Sequence, residues 1–415
     1  MNQQNKYQDK KEMIMKITFP SLLEILCFTA YMMLSACTNA QNSPRIGEEK
    51  SFVYSQVELE QMMTKPACLG EYRTSLSGPL RKPDRKGGFI ADSTFTVEVI
   101  KVPGEGFLIH GWLYLPRGNE KCPLVVLSNG GGDGSRSIKS FSDFMAPILA
   151  HCGIAAFVHD KRGTGESEGI YVNTTYNDYI TDAGNCGIIL SGHKRIDPEM
   201  IGVMGASEGG RVAVMAASRF PVFSFVVSQA GTVVTPIEDR LNAQLNGMTD
   251  QGVISDSIAM LVRPLWEKSF RAWAGNDPSE HEKVNKEIAE AREKFDRDIL
   301  PYTKQEMDSI PAFSVILPTW NSLGNDYLTE LGRFRKKWLA IFGEIDRVVP
   351  TEASVRNIVH YMSLSGNESY NIAIIPRMGH VPVDTETGDR VNFDFLIVNW
   401  IRKSVLDLNQ TITTP

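Results

Sequence analysis

"MGASEGG", residues 204–210, puts a serine among glycines at a change of pattern. "EMIGV" just before it is a short apolar run suited to a buried strand. "RVAVMAASRF" just after it is helix-forming and rich in small residues. A serine on that corner is either part of an ordinary turn or a nucleophile. Gly205-Ala206-Ser207-Glu208-Gly209 reads G-x-S-x-G, and between a strand and a helix this is the pattern of a nucleophile elbow. The glycines have a steric reason there: the elbow holds its serine in a strained backbone conformation, and side chains on either side would strike the adjoining strand and helix. The helix start behind Ser207 offers N–H groups and a positive dipole end to a developing oxyanion.

Working outward, the same alternation recurs. "TFTVEVIKV" and "GFLIHGWLYLP" alternate polar and apolar residues around a Pro-Gly-Glu-Gly turn and read as a hairpin. "CPLVVLS" is a continuous apolar run suited to a strand buried on both faces. A helix from about Phe141 to His151, the strand "GIAAFVHD", the helix "YNDYITDAGNCGIILSGHK" and the strand "VFSFVVSQA" continue the rhythm. It breaks over 231–335, which carries helical patterns only, and resumes at "KWLAIFGEID", a helix near Ala353–Leu364, "YNIAIIPRMGH" and the helix "DFLIVNWIRKSV". The fold class expected is α/β: a mostly parallel central sheet with helices on both faces, interrupted by one helical insertion.

Two residues join the serine. Asp346 follows one predicted strand and His380 the next, so all three fall at strand carboxyl ends, where open parallel sheets place their sites. Separately, Asp346 reads as a loop cap and His380 as a turn residue; together, in the order Ser207, Asp346, His380, they form a Ser…Asp…His series. Glu344 and Asp384 are alternative acids nearby.

From about residue 95 to 405 the chain resembles the α/β-hydrolase superfamily. The likeness rests on the elbow, on the residue order, and on three further stretches. "LSNGGGDGSR" stands where the family carries its HG-x or HGGG oxyanion loop, with Asn129 in the histidine position. "DKRGTGESEG", from Asp160, resembles the D-x-R-G-x-G-x-S loop, and Asp160 and Arg162 read as structural braces. "GEIDRVVP", Gly343–Pro350, matches the family's spacing around its acid. The resemblance implies an α/β-hydrolase fold with Ser207 as nucleophile, His380 as base and Asp346 as its partner. It implies the backbone N–H groups of Gly131 and Glu208 as oxyanion donors, with Gly132 the alternative to Gly131. Within the superfamily the elbow and the Asp160 loop look most like bacterial secreted esterases and the serine aminopeptidase-like group. Some acyl-CoA thioesterases share the pattern.

The chemistry expected is hydrolysis of an acyl ester through an acyl-enzyme, with no cofactor and no metal. The alternatives are a peptidase acting on short peptides, a thioesterase, or a non-catalytic surface binding protein. The remaining histidines form no ligand pattern, and the Glu208 side chain reads as a helix-start acid. A net charge of −6 and the absence of a long basic run argue against nucleic acid as a partner. The substrate expected is a small acyl ester or short peptide.

The chain start is of another kind. "MIMKITFPSLLEILCFTAYMMLSAC" has lysines before an apolar run that ends at Leu34-Ser35-Ala36-Cys37, a tetrapeptide resembling a bacterial lipobox. Glu24 inside the run opposes membrane insertion. Residues 1–37 therefore read as a lipoprotein-type signal with Cys37 as the lipid attachment point, the alternatives being cleavage without lipid or an uncleaved anchor. The location expected is the bacterial cell envelope, with membrane attachment through the lipid. Residues 38–93 read as a polar tether and an N-terminal segment that either wraps the core or forms a small subdomain, 94–230 and 336–405 as the α/β core, and 231–335 as a helical cap. Trp266, Trp273 and Trp320 in that cap either line an acyl pocket or build its own core. Cys122, Cys152 and Cys186 lie in apolar stretches and read as small buried hydrophobes.

Overall fold

The computed structural model describes residues 52–70, 94–131, 141–172, 174–250, 255–275 and 322–406, with short pieces at 252 and between 279 and 287. The chain divides into two units, 1–51 and 52–415, and the first lies outside the described residues, as do Cys37, Gly132, Trp320, the side chain of Trp273 and residues 71–93.

Eight strands form one sheet: β1 (Phe95–Pro103), β2 (Leu108–Pro116), β3 (Cys122–Ser128), β4 (Ala155–His159), β5 (Ile196–Ala206), β6 (Phe225–Gln229), β7 (Lys337–Gly343) and β8 (Tyr370–Ile375). Their spatial order is β1-β2-β4-β3-β5-β6-β7-β8. The β1–β2 hairpin joins β4 antiparallel, and every other neighbour pair is parallel. The helices are α1 (Gln56–Met62), α2 (Phe141–His151), α3 (Tyr176–Ser191), α4 (Glu208–Arg219), α5 (Pro236–Asp250), α6 (Asp256–Ala274), α7 (Thr351–Ser365) and α8 (Phe393–Trp400).

The period-2 pleat sorts the strand residues into two cores. Phe157, Val126, Val203, Val226 and Trp338 are successive partners across five strands, and all point to the face covered by α3, α4 and α7. Val158, Leu127, Met204, Val227 and Leu339, one residue further along, all point to the face covered by α1, α2 and α8. Each fully buried apolar side chain of this size contributes about 1.5–3 kcal/mol. The register is therefore strongly fixed, because a one-residue slip exchanges the two faces.

Residues 52–70 pack against this core. Val53 bridges Ile372 outside β8, with Tyr54 N–H donating to the Ile372 carbonyl at 2.9 Å. A capping box of Ser55 and Glu58 starts α1, and the Asn399 amide donates to the carbonyls of Met62 and Thr64. Cys68 is disulfide-bonded to Cys152, at the end of α2. This corrects the reading of Cys152 as a small hydrophobe. Cys122 and Cys186 are free and buried.

Between β6 and β7 the described elements are α5, α6 and a 3-10 turn over Leu328–Arg333. Trp266 is buried with Ile237, Leu241, Leu245, Val262, Phe270 and Leu323. It therefore builds the insertion's own core rather than lining an acyl pocket. The reason is helical periodicity: Val262, Trp266 and Phe270, four residues apart, share one stripe of α6, which faces α5.

Candidate active site

Ser207 ends β5 and caps α4, with φ 55° and ψ −123°. A non-glycine residue in that region costs about 1–3 kcal/mol and persists only where the surroundings enforce it. Here they do. A Cβ on Gly205 would collide with the Gly209 carbonyl, and one on Gly209 would strike the carbonyl oxygen of Ser128 and come within 2.6 Å of that of Asn129. Strand, elbow and helix are thus pressed together at contact distance, and the Ser207 N–H is tied to the Gln229 carbonyl at 2.8 Å.

The loops after β7 and β8 bring the other two residues to Ser207. His380 Nε2 lies 3.1 Å from Ser207 Oγ, and His380 Nδ1 lies 2.9 Å from Asp346 Oδ2. The second Asp346 oxygen accepts from the N–H groups of Val348 and Val349 at 2.8 and 2.9 Å. The Asp346 carboxylate is completely buried, whereas the imidazole remains a quarter exposed. The alternative acids are engaged elsewhere. Glu344 accepts from the Arg377 N–H, and Asp384 is paired with the Arg377 guanidinium. That guanidinium and the N–H groups of Thr387 and Glu386 hold the Asp384 pKa down at about 2.

Gly130 lies against the elbow: a Cβ there would sit 3.2 Å from the Ala206 carbonyl oxygen and 3.9 Å from Ser207 Cβ. Gly131 follows with open space on its Cβ side. Asn129, in the position of the family's histidine, donates its amide to the His159 carbonyl at 2.8 Å and so ties the end of β3 to the end of β4. Glu208 is the first residue of α4. The glycine loop, through Gly130, and the first residue of α4, Glu208, thus both adjoin Ser207.

The Asp160 loop is built as a brace. Arg162 makes a two-pronged contact with Asp182 at 2.7 and 2.8 Å and also reaches Asp178. Asp160 accepts from the Glu166 N–H at 2.9 Å. Sequence reasoning passed over Lys161 between them. Its side chain is 4% exposed, and its Nζ lies 2.6 Å from both the Gly130 carbonyl oxygen and Glu208 Oε1, over the ring of Tyr179. Burial and the nearby Glu208 carboxylate push the Tyr179 hydroxyl pKa up. The available signal was a lysine directly after an apolar strand end, because a buried lysine requires a partner.

Helix α5 is fastened to the acid's loop. Asn242 and Asn246 donate to the Arg347 carbonyl, and Asn242 also donates to that of Val348. Arg347 in turn pairs with Asp250 at 2.6 Å. On the nucleophile's side Arg211 of α4 faces Asp239 of α5 at 3.3 Å, and burial raises the Asp239 pKa. Among the described residues no group of three His, Cys, Asp or Glu side chains is arranged to hold a metal ion, and no helix is long and apolar enough to cross a membrane.

Fold and site together define an α/β-hydrolase of the serine hydrolase class. Residues 105–352 match the family model of the X-Pro dipeptidyl-peptidase (S15 family), and the chain belongs to that family. The matched stretch includes Ser207 and Asp346 and ends before His380. No curated protein matches the sequence. Similar solved structures include the Pyrococcus horikoshii acylaminoacyl peptidase, at 16% identity and TM-score 0.48, with 75% of this chain and 42% of that one covered. They also include a Pyrococcus furiosus esterase, at 16% identity and TM-score 0.47, covering 76% and 96%. A third is acetyl xylan esterase 1 from Thermoanaerobacterium sp., at 17% identity and TM-score 0.45, covering 77% and 86%. The chain thus spans less than half the length of the acylaminoacyl peptidase.

Proposed function

We propose that the protein hydrolyses an acyl ester through an acyl-enzyme on Ser207. The observation that carries this reading is the hydrogen-bonded series Ser207, His380, Asp346 at a strained elbow. Ser207 Oγ attacks the acyl carbonyl while His380 Nε2 takes its proton. The Asp346 carboxylate holds the Nδ1–H tautomer and stabilises the imidazolium. The N–H groups of Gly131 and Glu208 receive the oxyanion, and each such donor is commonly worth about 3 kcal/mol. His380 then protonates the leaving alcohol, and water repeats the sequence to release the acid. The insertion 231–335 acts as a cap that shapes the acyl site, a reading supported by the grip of α5 on the loop beside Asp346.

A peptidase of short peptides is the second reading, and the family match favours it. Such an enzyme holds its substrate's free amine with carboxylates. Two carboxylates close to the elbow are engaged, Glu208 by Lys161 and Asp239 by Arg211. Location in the cell envelope belongs to the same proposal. It is supported by the leader pattern ending at Cys37 and by the Cys68–Cys152 bridge, since disulfides persist in oxidising compartments.

A panel of 4-nitrophenyl esters against aminoacyl and X-Pro nitroanilides tests the reading. Ester turnover at least tenfold above that of every amide is the expected result. Preferential cleavage of X-Pro nitroanilides establishes the peptidase instead. Failure of a fluorophosphonate probe to label Ser207 refutes both.

A further inference from the structure

Two contacts of Lys161 reach out of its own loop to the elbow and the glycine loop. One is to the carbonyl of Gly130 and the other to the side chain of Glu208, both at 2.6 Å. Each partner belongs to a residue pair that bears on the oxyanion. The Gly130 carbonyl and the Gly131 N–H share a single trans peptide plane and point to opposite sides of it. An ammonium gripping the carbonyl therefore aims the N–H away from Lys161. Glu208 carries the second N–H at the start of α4, and its side chain is held by the same ammonium.

We propose that Lys161 is a positioning residue that sets both oxyanion donors at once, fixing the Gly130–Gly131 peptide and the first residue of α4 to a common point. This rests on the acyl-transfer reading above. Three observations support it. Gly130 and Gly131 have no side chains to lock the peptide, so without an external grip the plane is free to turn. The ammonium is itself immobilised. Its side chain is 4% exposed, and the ammonium lies 4.7 Å from the centroid of the Tyr179 ring and extends from a loop braced by Arg162 on Asp178 and Asp182. Finally, the pairing costs desolvation, and replacing such pairs by well-packed apolar residues is often neutral for stability. A role in preorganising donors gives the pair a use beyond the fold, because oxyanion donors act through being fixed before the charge develops.

The test uses Lys161→Met, Glu208→Gln and the double variant of the full chain, assayed on the best ester or amide substrate of the wild type. The readouts are kcat, KM, the Ki of an arylboronic acid that mimics the tetrahedral adduct, and the melting temperature. Removal of one oxyanion donor commonly lowers kcat about 10²–10³-fold. Lys161→Met is expected to lose about a hundredfold in kcat with KM within about threefold, and to weaken the boronic acid by a matching factor. It also loses some stability, because Glu208, only partly exposed, is left without its cationic partner. The double variant removes that charge. It should regain most of the melting temperature while kcat stays low, since nothing grips the Gly130 carbonyl. Glu208→Gln keeps an acceptor for Lys161 and should lose about tenfold or less. A folded Lys161→Met or double variant with kcat within threefold of wild type overturns the proposal. So does a boronic acid that binds the variants as tightly as it binds the wild type. A wild type inert toward every acyl substrate refutes the acyl-transfer reading itself, an outcome distinct from an active wild type indifferent to Lys161.

Discussion

Replacing Asp346 with asparagine tests the site most directly, because the structure dictates which way the amide must face. Asp346 Oδ1 accepts two backbone N–H groups, from Val348 and Val349, at 2.8 and 2.9 Å. An asparagine that turned its NH2 toward them would set donor against donor, so its oxygen has to stay there. The NH2 is then left facing His380 Nδ1, across the gap where the Asp346 carboxylate now lies at 2.9 Å. That nitrogen must become an acceptor, which moves the imidazole proton to Nε2. The nitrogen beside Ser207 Oγ, at 3.1 Å, can then no longer take the serine proton. Such a tautomer reversal lowers kcat about 10⁴-fold, equivalent to about 5.4 kcal/mol of transition-state stabilisation. Folding should lose only about 1–2 kcal/mol, since both backbone donors keep their acceptor and only the charge is removed. Steady-state hydrolysis of a 4-nitrophenyl ester, or of whichever acyl substrate the wild type prefers, measures the first, and thermal melting followed by circular dichroism measures the second. A loss smaller than tenfold, or a Glu344→Gln variant worse than Asp346→Asn, refutes the assignment of the acid.

Ser207→Gly should lose at least about a thousandfold in turnover and all fluorophosphonate labelling, yet gain about 1 kcal/mol in stability, because glycine accepts φ 55° without strain; chemical denaturation that shows no gain argues against strain at the elbow. Gly209→Ala should damage activity even though the residue carries no reacting atom, since its Cβ strikes the carbonyls of Ser128 and Asn129 and displaces the loop leading to Gly131; wild-type kcat in that variant would show that the loop has slack. Reduction of Cys68–Cys152, or a Cys68→Ser and Cys152→Ser pair, should lower stability by up to about 4.5 kcal/mol, the chain-entropy value for a closed loop of separation 84. Urea unfolding with and without reductant measures it, and identical midpoints would mean that the bridge does not restrain the unfolded chain.

The parts of this molecule visible in its sequence are those whose cause is local. Ser207 announces itself because the elbow needs small neighbours within two residues, and Asp346 and His380 because each follows an uninterrupted apolar run. Strands β5 and β6 were likewise visible as apolar runs, but which face each residue takes, Val203 against Met204 or Val226 against Val227, is decided by the pleat. What escaped depends on separations that only the fold closes. Cys68 meets Cys152 across 84 residues, and Val53 finds Ile372 at the outer edge of β8. Neither partner has a periodic context to point at the other. Lys161 was hidden differently. It stands between Asp160 and Arg162, whose bracing roles belong to a recognised loop pattern, and its partners Gly130 and Glu208 lie on the glycine loop and the elbow. The two readings of Trp266 could not be parted in the sequence because a tryptophan on an apolar stripe fits a small core as well as a pocket, and the structure places it in the core.

The position of the helical insertion has an evolutionary corollary. It leaves at Gln229 and returns at Lys337, yet β6 and β7 are direct neighbours in the sheet, with Phe225 opposite Lys337 and Gln229 opposite Ile341. The sheet therefore closes in the same register whatever is spliced between these strands, provided a crossover of about a dozen residues remains. Lengthening such a crossover to about a hundred residues costs only about 2 kcal/mol of chain entropy. This junction is a socket in which a lineage can exchange one inserted module for another without disturbing the sheet beneath. The structure also sets the terms of the exchange. Any replacement inherits the exposed carbonyls of Arg347 and Val348, now held by Asn242 and Asn246, and Arg211 on α4, now facing Asp239. A transplanted module that supplies two amide donors and one carboxylate at those places will seat; one that lacks them leaves the loop beside Asp346 unsupported.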